Sequence, residues 1–262
     1  MERITLIHVP VSHYSEKARW ALDYKRIPHS RRWPPGGFHP LVCWVLTRGK
    51  HQTVPVLLMD GEGIGDSTEI IRRLEERFPE PPLYPADPDE RRRALELEDF
   101  LDEELGGYVR RLVYHHLTSD PDMLVELAQH QIQYGHDVMM SLNKRILYRF
   151  LDLRFSTASP ERAAEAERKV LAALDRLDAE LEGREYLAGD GFSVADLTAA
   201  ALLYPFTMPS QAPWRPSRLP QAWVDFSEAN RGRPCHDWAL AMYERHRAPA
   251  PAQAAAAASA SA

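Results

Sequence analysis

Two serines lie at a turn between a predicted strand and a predicted helix, where their hydroxyls could take part in chemistry. Residues 4–9 form a short apolar, β-branched run, which is typical of a buried strand. Apolar residues then recur at helical spacing from 18 to 22. Ser12 and Ser15 stand between the two segments, where a hydroxyl suits a helix N-terminus. Free backbone N–H groups and the helix dipole meet there, so the turn either binds an anion or is simply capped by Ser12.

Other arrangements of reactive side chains are weaker. Ser12 and His13 are adjacent and so rarely face each other, and the absence of a G-x-S-x-G elbow argues against a serine hydrolase. The alternating glycines at 61–65 suit a hairpin better than a nucleotide-binding loop. Four histidines on predicted helices lack the H-E-x-x-H spacing of a metal site, namely 115, 116, 130 and 136. No metal is therefore expected.

The composition limits the classes of partner. The chain has 262 residues, 44% of them hydrophobic, which suffices for one large or two ordinary domains. A net charge of -6 argues against a nucleic-acid binder. No apolar run reaches the roughly 18 to 20 residues of a membrane span, and the N-terminus lacks a signal-peptide core. Cys43 and Cys235 lie far apart without a CxxC motif, so we expect two small buried thiols and a reducing cytoplasm.

Residues 1–79 predict a small α/β domain. A first helix at about 15–25 is followed by a weaker strand at 29–33 and a Pro-Pro-Gly-Gly turn. A short helix at 41–46 then precedes a strand at 53–59 and a hairpin turn. Asp66 and Glu69 have capping-box spacing and open another helix. The order β-α-(β)-α-β-β-α predicts one open sheet covered by helices.

The rest of the chain predicts an all-helical domain. The proline-rich stretch 80–88 is expected to be a linker, and the helical domain is expected to cover 89–247. A long charged helix at 89–117 has a break at Gly106-Gly107, and a tail at 248–262 is expected to be disordered. The remaining helices are predicted to open at Asp120 (continuing towards 155), at Ser159 (ending at Gly183), at the capping box Ser193–Asp196 and at about 235, with loops over 205–220.

These elements resemble the cytosolic glutathione transferases. The resemblance rests on four motifs in the family's order: Ser-His-Tyr-Ser-Glu-Lys-Ala-Arg at 12–19, Thr-Val-Pro-Val-Leu at 53–57, Gly-Asp-Ser-Thr-Glu-Ile-Ile at 65–71 and Gly-Phe-Ser-Val-Ala-Asp-Leu at 191–197. It implies an α/β thioredoxin-like N-terminal domain and an all-α C-terminal domain. The motifs are most similar to those of the zeta and omega classes.

The resemblance also implies a glutathione site. In the family a Ser, Tyr or Cys at the start of helix one stabilises or bonds to the glutathione sulfur, and alignment of residues 17–22 puts Ser12 at that position. The Val54–Pro55 bond is implied to be cis, with the Val54 backbone pairing with the cysteinyl part of glutathione. Asp66 and Ser67 match the pair that binds the γ-glutamyl group, although Asp is one methylene shorter than the usual Glu or Gln.

Further side chains are secondary candidates under the same resemblance. Those near the peptide are His13, Tyr14, Ser15, Arg19, His51 and Gln52, and Arg48 and Lys50 could also meet the glycine carboxylate. The pocket for an electrophile is expected to contain Trp44, Tyr108, Tyr114 and His115.

A hydroxyl at a helix N-terminus is physically sufficient to activate a thiol. A free thiol has a pKa near 8.5, and lowering it by about two units requires roughly 2.7 kcal/mol. A charge-assisted hydrogen bond supplies roughly 1.5 to 3 kcal/mol and a helix N-terminus about 0.5 to 2 kcal/mol. Ser12 would thus need no ionised base, and a serine favours transferase or isomerase chemistry over a mixed disulfide.

Three hypotheses follow. The first is a cytoplasmic, homodimeric glutathione transferase acting in detoxification, which conjugates, isomerises or dehalogenates a small hydrophobic electrophile. The second is a non-catalytic binding or scaffold protein with the same fold. The third keeps the enzyme but uses another low-molecular-weight thiol, which the Ala- and Arg-rich composition allows. Ser12 together with Asp66-Ser67 favours an enzyme, since a scaffold has no chemical need of them.

Overall fold

The N-terminal domain is built on a mixed four-stranded sheet. A computed structural model describes residues 4–34, 39–118, 120, 123, 159–216 and 218–247. The strands are β1 (Thr5–Ile7), β2 (Ser30–Arg32), β3 (Val56–Met59) and β4 (Glu62–Gly65), in the order β2-β1-β3-β4. β1 runs parallel to β2 and antiparallel to β3, and β3 pairs antiparallel with β4. This is the sheet of a thioredoxin-like domain.

Three helices cover the two faces of this sheet. They are α1 (His13–Tyr24), α2 (His39–Leu46) and α3 (Ser67–Arg77). Successive residues of a strand point to opposite faces. Leu6 and Leu57 accordingly join the main core with α1 and α3, whereas Ile7 and Val56 form a small separate cluster with Cys43 of α2. The single short helix α2 therefore covers one face of the sheet.

The second domain is helical. Its described helices are α4 (Pro88–Phe100), a π-helical segment (Leu101–Gly106), α5 (Gly107–Thr118), α6 (Pro160–Glu180), α7 (Val194–Thr207), α8 (Gln221–Ala229) and α9 (Pro234–His246). Helix α7 is buried from Val194 to Phe206 and packs against α1, so it forms the centre of the interface between the domains. No helix among the described residues is long and apolar enough to cross a membrane.

A buried ion cluster joins the two domains. The Lys17 ammonium of α1 lies 2.9 Å from the Glu98 carboxylate and 2.7 Å from that of Asp102, and it donates to the Thr68 hydroxyl at 2.8 Å. The side chains of Lys17 and Glu98 are fully buried. Burial by itself would lower the pKa of Lys17, but the two carboxylates outweigh it and raise that pKa. Lys17 is therefore a permanent cation at the domain interface.

A second buried cluster ties the end of α9 to α1. The Arg247 guanidinium donates to Glu16 at 2.7 Å and to Asp23 at 2.6 Å. Glu16 also accepts from Arg19 at 2.8 Å, and the side chains of Glu16, Arg19 and Arg247 are almost completely buried. Burial would raise the pKa of Glu16, but Arg247 and Arg19 outweigh it and hold the pKa below its ordinary value. The carboxylate is thus ionised and doubly paired.

The predicted fold class is confirmed, and most predicted elements are present with shifted ends. Helix α1 begins at His13 rather than 15 because Ser12 is its N-cap, and the break predicted at Gly106 is a π-helical segment. The loop predicted over 205–220 is too long at its start, since Pro205 lies inside α7, and α8 was not predicted. The helix predicted from 120 towards 155 and the tail at 248–262 lie largely outside the described residues.

Both cysteines are free and buried, and burial raises the pKa of Cys43 to about 11 and that of Cys235 to about 12.

Candidate active site

A cleft lies between the domains at the N-terminus of α1. Its empty volume is about 820 Å³, including open solvent. The N-terminal domain contributes Val9, Val11, Ser12, His13, Tyr14, His39, Thr53 and Val54, and the helical domain contributes Arg110, Val113, Tyr114, Leu117, Tyr204, Pro205, Trp214 and Trp223. Mostly apolar and aromatic walls that meet a few polar groups are typical of a small-molecule site.

Ser12 is half-buried and caps α1. Its side-chain oxygen accepts a hydrogen bond from the Ser15 backbone N–H at 3.2 Å. The hydroxyl proton of Ser12 has no acceptor within the part of the chain that the structure describes. Since a hydroxyl has two lone pairs and one proton, capping leaves its O–H able to donate into the cleft. Capping the helix and binding an anion are therefore compatible roles for Ser12.

The segment before β3 forms the wall of the cleft beside Ser12. Thr53 and Val54 line the cleft, and the Val54–Pro55 peptide bond is cis. Asp66 and Ser67, at the start of α3, are not among the lining residues. One Asp66 carboxylate oxygen caps α3 by accepting from the backbone N–H of Thr68 at 2.9 Å. Asp66 is exposed, and its second oxygen bonds to no other described group.

His13 and Tyr14 both reach across to the π-helical segment. The His13 Nε2 donates to the Gly106 carbonyl at 3.1 Å, and the Tyr14 hydroxyl donates to the Asp102 carbonyl at 3.1 Å. Burial, aided by the charge of Arg110, lowers the pKa of His13 to about 3, while burial and Asp102 raise that of Tyr14 to about 12. Both side chains are therefore neutral near pH 7 and are already used in domain contacts.

Gly106 is required for this approach of Tyr14. A Cβ at position 106 would stand 2.3 Å from the Tyr14 hydroxyl oxygen, far inside van der Waals contact. The π-helical segment thus presents bare backbone to α1, which fits the frequent use of such segments at functional sites.

Arg19 and Ser15 support the loop that precedes Ser12. Arg19 donates to the carbonyls of Val9 at 3.3 Å and Pro10 at 3.0 Å, and the Ser15 hydroxyl accepts from the Val9 N–H at 3.3 Å. Arg19 is buried and paired with Glu16. These contacts fix the loop geometry, and they commit the Arg19 guanidinium to the loop and to Glu16 rather than to the cleft.

Three of the four residues expected in the electrophile pocket are not among those that line the cleft. Only Tyr114 does so, and Trp44, Tyr108 and His115 do not. On α5 the cleft-facing residues are 110, 113, 114 and 117, one helical stripe, so 108 and 115 fall on other faces. Trp44 points away from the sheet and is 47% exposed.

The remaining secondary candidates also lie outside the cleft lining. The His51 ring packs on Gly65, where a Cβ would stand 2.5 Å from it, and Gln52 is exposed. The sequence reasoning missed Arg110, Val113, Leu117, Tyr204, Trp214 and Trp223. The three missed residues of α5 share one helical stripe with Tyr114, so helical spacing from Tyr114 could have indicated them. Trp214 lies in a loop, where no periodic pattern could indicate it.

His8, below the Ser12 loop, predicts a measurable pH dependence. Its Nδ1 lies 2.8 Å from the Arg19 guanidinium and its Nε2 accepts from the Trp33 indole N–H at 2.9 Å, so neither contact offers the acceptor that a protonated ring would need. Burial first, then Arg19, Arg31 and His29, lower the pKa of His8 from 6.5 to about 2. Below pH 6.5 His8 becomes protonated in the unfolded chain but stays neutral in the folded chain. The contribution of His8 to the free energy of unfolding therefore falls as the pH falls.

We expect His8→Asn to flatten this dependence. Between pH 6 and 4 the free energy of unfolding should fall less steeply in the variant, by about 1.4 kcal/mol per pH unit. Urea unfolding at a series of pH values measures both slopes. Parallel curves for wild type and variant would contradict a neutral, buried His8.

The comparisons with known proteins fit this architecture. The sequence profile of the glutathione S-transferase N-terminal domain matches residues 6–82, and that of the glutathione S-transferase C-terminal domain matches 134–225. FtsZ-localized protein A of Caulobacter vibrioides is 27% identical over 255 residues, which are 90% of each chain. A probable maleylacetoacetate isomerase 1 of Drosophila melanogaster is 34% identical over 84 residues, which are 32% of this chain and 33% of that one.

A solved neighbour adds a ligand-bound example of the fold. The theta class glutathione S-transferase of Xanthomonas axonopodis pv. citri, with glutathione bound, superposes with a TM-score of 0.57 at 21% identity, over 92% of this chain and 98% of that one. The chain belongs to the cytosolic glutathione transferase superfamily. Membership of this family supports a glutathione-transferase type of function.

Proposed function

We propose that the cleft binds glutathione and that Ser12 stabilises its thiolate for attack on a small hydrophobic electrophile. The observation that carries this proposal is the Ser12 hydroxyl, which is held at the mouth of α1 by the Ser15 N–H while its own proton has no acceptor among the described residues. The neighbouring tyrosine does not compete for this role, since the Tyr14 hydroxyl already donates its hydrogen bond to the Asp102 carbonyl. A serine-type mechanism is the one these contacts support.

The start of α1 supplies further stabilisation of an anion. The backbone N–H groups of the first helical turn lack intrahelical acceptors and point toward the cleft end of α1. A hydrogen bond from Ser12 at roughly 1.5 to 3 kcal/mol, with about 0.5 to 2 kcal/mol from the helix, suffices to lower a thiol pKa by about two units.

The remainder of glutathione would extend from Ser12 along the segment before β3. The Val54 backbone would pair with the cysteinyl residue, and Asp66 and Ser67 would hold the γ-glutamyl end. In support, one Asp66 carboxylate oxygen caps α3 and the other has no partner in the described part of the chain. The electrophile would lie against the aromatic wall of Tyr114, Tyr204 and Trp214. Conjugation, isomerisation or dehalogenation would each use the same thiolate.

The decisive experiment measures the thiol pKa of bound glutathione. Thiolate absorbance is followed against pH for wild type and Ser12→Ala, with binding measured by calorimetry on both. We expect wild type to lower the pKa by about two units and Ser12→Ala to restore at least one of them, with glutathione still bound.

A matched control separates the serine from the tyrosine. Tyr14→Phe keeps the ring and removes only a hydroxyl that already donates to Asp102, so the thiol pKa should stay at its wild-type value. A rise in the thiol pKa with Tyr14→Phe but not with Ser12→Ala would overturn the serine assignment. No binding at millimolar glutathione would leave another thiol or a non-catalytic role.

A second candidate function is protein binding on the same fold. It is favoured by the similarity to FtsZ-localized protein A, which covers nearly the full length of both chains. Under this reading the protein has a macromolecular partner and the cleft is not a catalytic site. Absence of a perturbed glutathione thiol would select this candidate.

We further propose a homodimer, tested by sedimentation, and a cytoplasmic location, which the two free buried cysteines support.

A further inference from the structure

Helix α2 carries an apolar stripe on its solvent side. Leu41, Trp44 and Val45 are 58%, 47% and 59% exposed, and their spacing of three and four residues places them on one helical face. We call these three residues the α2 outer stripe. They are three of the four large exposed hydrophobic residues in the described part of the chain, the fourth being Leu95.

The α2 outer stripe is not the side of α2 that holds the helix to the sheet. That side presents Cys43, fully buried with Ile7 and Val56, and Thr47, which is 2% exposed. The helix is therefore apolar on both faces, while the sheet covers only one. An exposed apolar patch of this kind marks an interaction site more often than a random surface feature.

Two exposed cations stand beside the stripe. The turn at 48–50 closes against Trp44, since the Gly49 N–H donates to the Trp44 carbonyl at 2.7 Å and a Cβ on Gly49 would stand 3.4 Å from the Trp44 indole nitrogen. Arg48 and Lys50 flank this glycine, are exposed and form no ion pair with any described residue. Apolar and positive surface are thus adjacent on a fixed turn.

The surrounding sequence has one sign of charge. Residues 24–59 contain six Lys or Arg and no Asp or Glu, although the chain as a whole carries a net charge of -6. Two of the six, Lys25 and Arg31, pair with Glu75 and Asp23 outside this segment, so Arg48 and Lys50 are the cations that matter beside the stripe. A partner with carboxylates next to apolar side chains would complement both features, and like-charge repulsion would disfavour a basic partner.

We propose that the α2 outer stripe, with Arg48 and Lys50, docks an acidic amphipathic segment of another protein. Apolar side chains of that segment would pack on Leu41, Trp44 and Val45, and its carboxylates would pair with the two cations. A protein segment is favoured over an anionic membrane because two cations are fewer than the roughly four to eight that make up a typical lipid-binding cluster. This proposal is independent of thiol chemistry in the cleft.

The test uses a synthetic helical peptide of about 18 residues, made of Leu at i, i+3, i+4 and i+7 with Glu elsewhere. Its matched twin has Lys in place of Glu. Binding to the full chain is followed by NMR at the Trp44 indole N–H, assigned with Trp44→Phe. We expect the acidic peptide to bind with a Kd on the order of 10–100 µM and the basic twin to bind at least tenfold more weakly.

Substitutions assign the surface. Leu41→Ser with Val45→Ser, and separately Arg48→Glu with Lys50→Glu, should each weaken binding of the acidic peptide about tenfold. Two controls elsewhere on the surface, Leu95→Ser and Arg92→Glu, should leave it unchanged. The proposal would be overturned if the α2 double variants bound the acidic peptide as tightly as the wild type does. It would also be overturned if the acidic and basic peptides bound the wild type equally.

Two further results would also overturn it. If phosphatidylglycerol vesicles bound the chain through α2 and the acidic peptide did not bind, the α2 outer stripe would be a lipid-binding surface. A dimer that dissociates on Leu41→Ser with Val45→Ser in sedimentation would assign it to a second copy of the chain.

Discussion

Replacing Lys17 by Met is expected to cost about 3 to 5 kcal/mol of unfolding free energy, the size typical of breaking one side of a buried ion pair. Lys17 lies within 3 Å of both Glu98 and Asp102, and its side chain is fully buried. Methionine fills a similar volume but leaves two carboxylates without a cation, so the loss is electrostatic rather than a packing defect. The deficit should shrink at low pH, where protonation removes the unpaired charge. Urea unfolding measures the change.

A matched exposed pair provides the control for Lys17. Lys169 lies 2.6 Å from Glu104, with each side chain 43% exposed. Lys169→Met should cost less than about 1 kcal/mol because solvent screens the pair. Adding Asp102→Asn to Lys17→Met should recover part of the stability by removing one unpaired charge. Equal costs for Lys17→Met and Lys169→Met would show that burial does not amplify the interdomain pair.

Replacing Arg247 by Met is expected to have a comparable cost, about 3 to 5 kcal/mol. Its side chain is 2% exposed and bonds to Glu16 and Asp23. Burial would lower the pKa of Arg247, but these carboxylates outweigh it and raise that pKa. Without the guanidinium, Glu16 keeps only Arg19, which also holds the loop before Ser12. Stability should therefore fall together with order at the cleft.

The control for Arg247 lies two residues earlier. Arg245 pairs with Glu185 at 2.6 Å, but the two side chains are 50% and 65% exposed. Arg245→Met should change the free energy of unfolding by less than about 1 kcal/mol. Thermal unfolding of both variants against wild type compares the two positions directly. A cost for Arg247→Met no larger than that for Arg245→Met would show that the buried cluster is not a stabilising anchor.

Local signals predicted the elements well because helix caps act over a few residues. Ser12, Asp66, Ser159 and Ser193 each stand directly before the first residue of a helix. The hairpin between β3 and β4 was also predictable from sequence, because Asp-Gly is a favoured pair for a two-residue turn. In the structure Asp60 and Gly61 form that turn, and both adopt positive φ. Such features depend on neighbours in sequence and need no knowledge of the tertiary structure.

The faces of the long helix were harder to predict. The buried residues Leu101, Leu105 and Val109 recur every four positions, so helical spacing identifies the core side of this helix. The π-helical segment has more residues per turn than an α-helix, so it rotates everything after it. Spacing does not identify which of the other sides faces the cleft, where Arg110 and Tyr114 lie but the expected pocket residues Tyr108 and His115 do not.

The buried ion clusters could not be foreseen at all. Lys17, Glu98 and Asp102 look like ordinary surface charges on amphipathic helices, and 85 residues separate Lys17 from Asp102. Only the packing of α1 against α4 and the π-helical segment brings them together. Pairings of this kind depend on tertiary structure, which no short-range pattern encodes.

The burial of both native thiols makes the chain convenient for site-specific labelling. Cys43 and Cys235 are 0% and 1% exposed, and a thiol with a pKa of about 11 or 12 is almost entirely protonated at neutral pH. Maleimide reagents should therefore leave the wild-type chain unmodified. A cysteine introduced at Val45 would be the one reactive thiol, so a fluorophore could be placed on the α2 outer stripe without first removing the native cysteines.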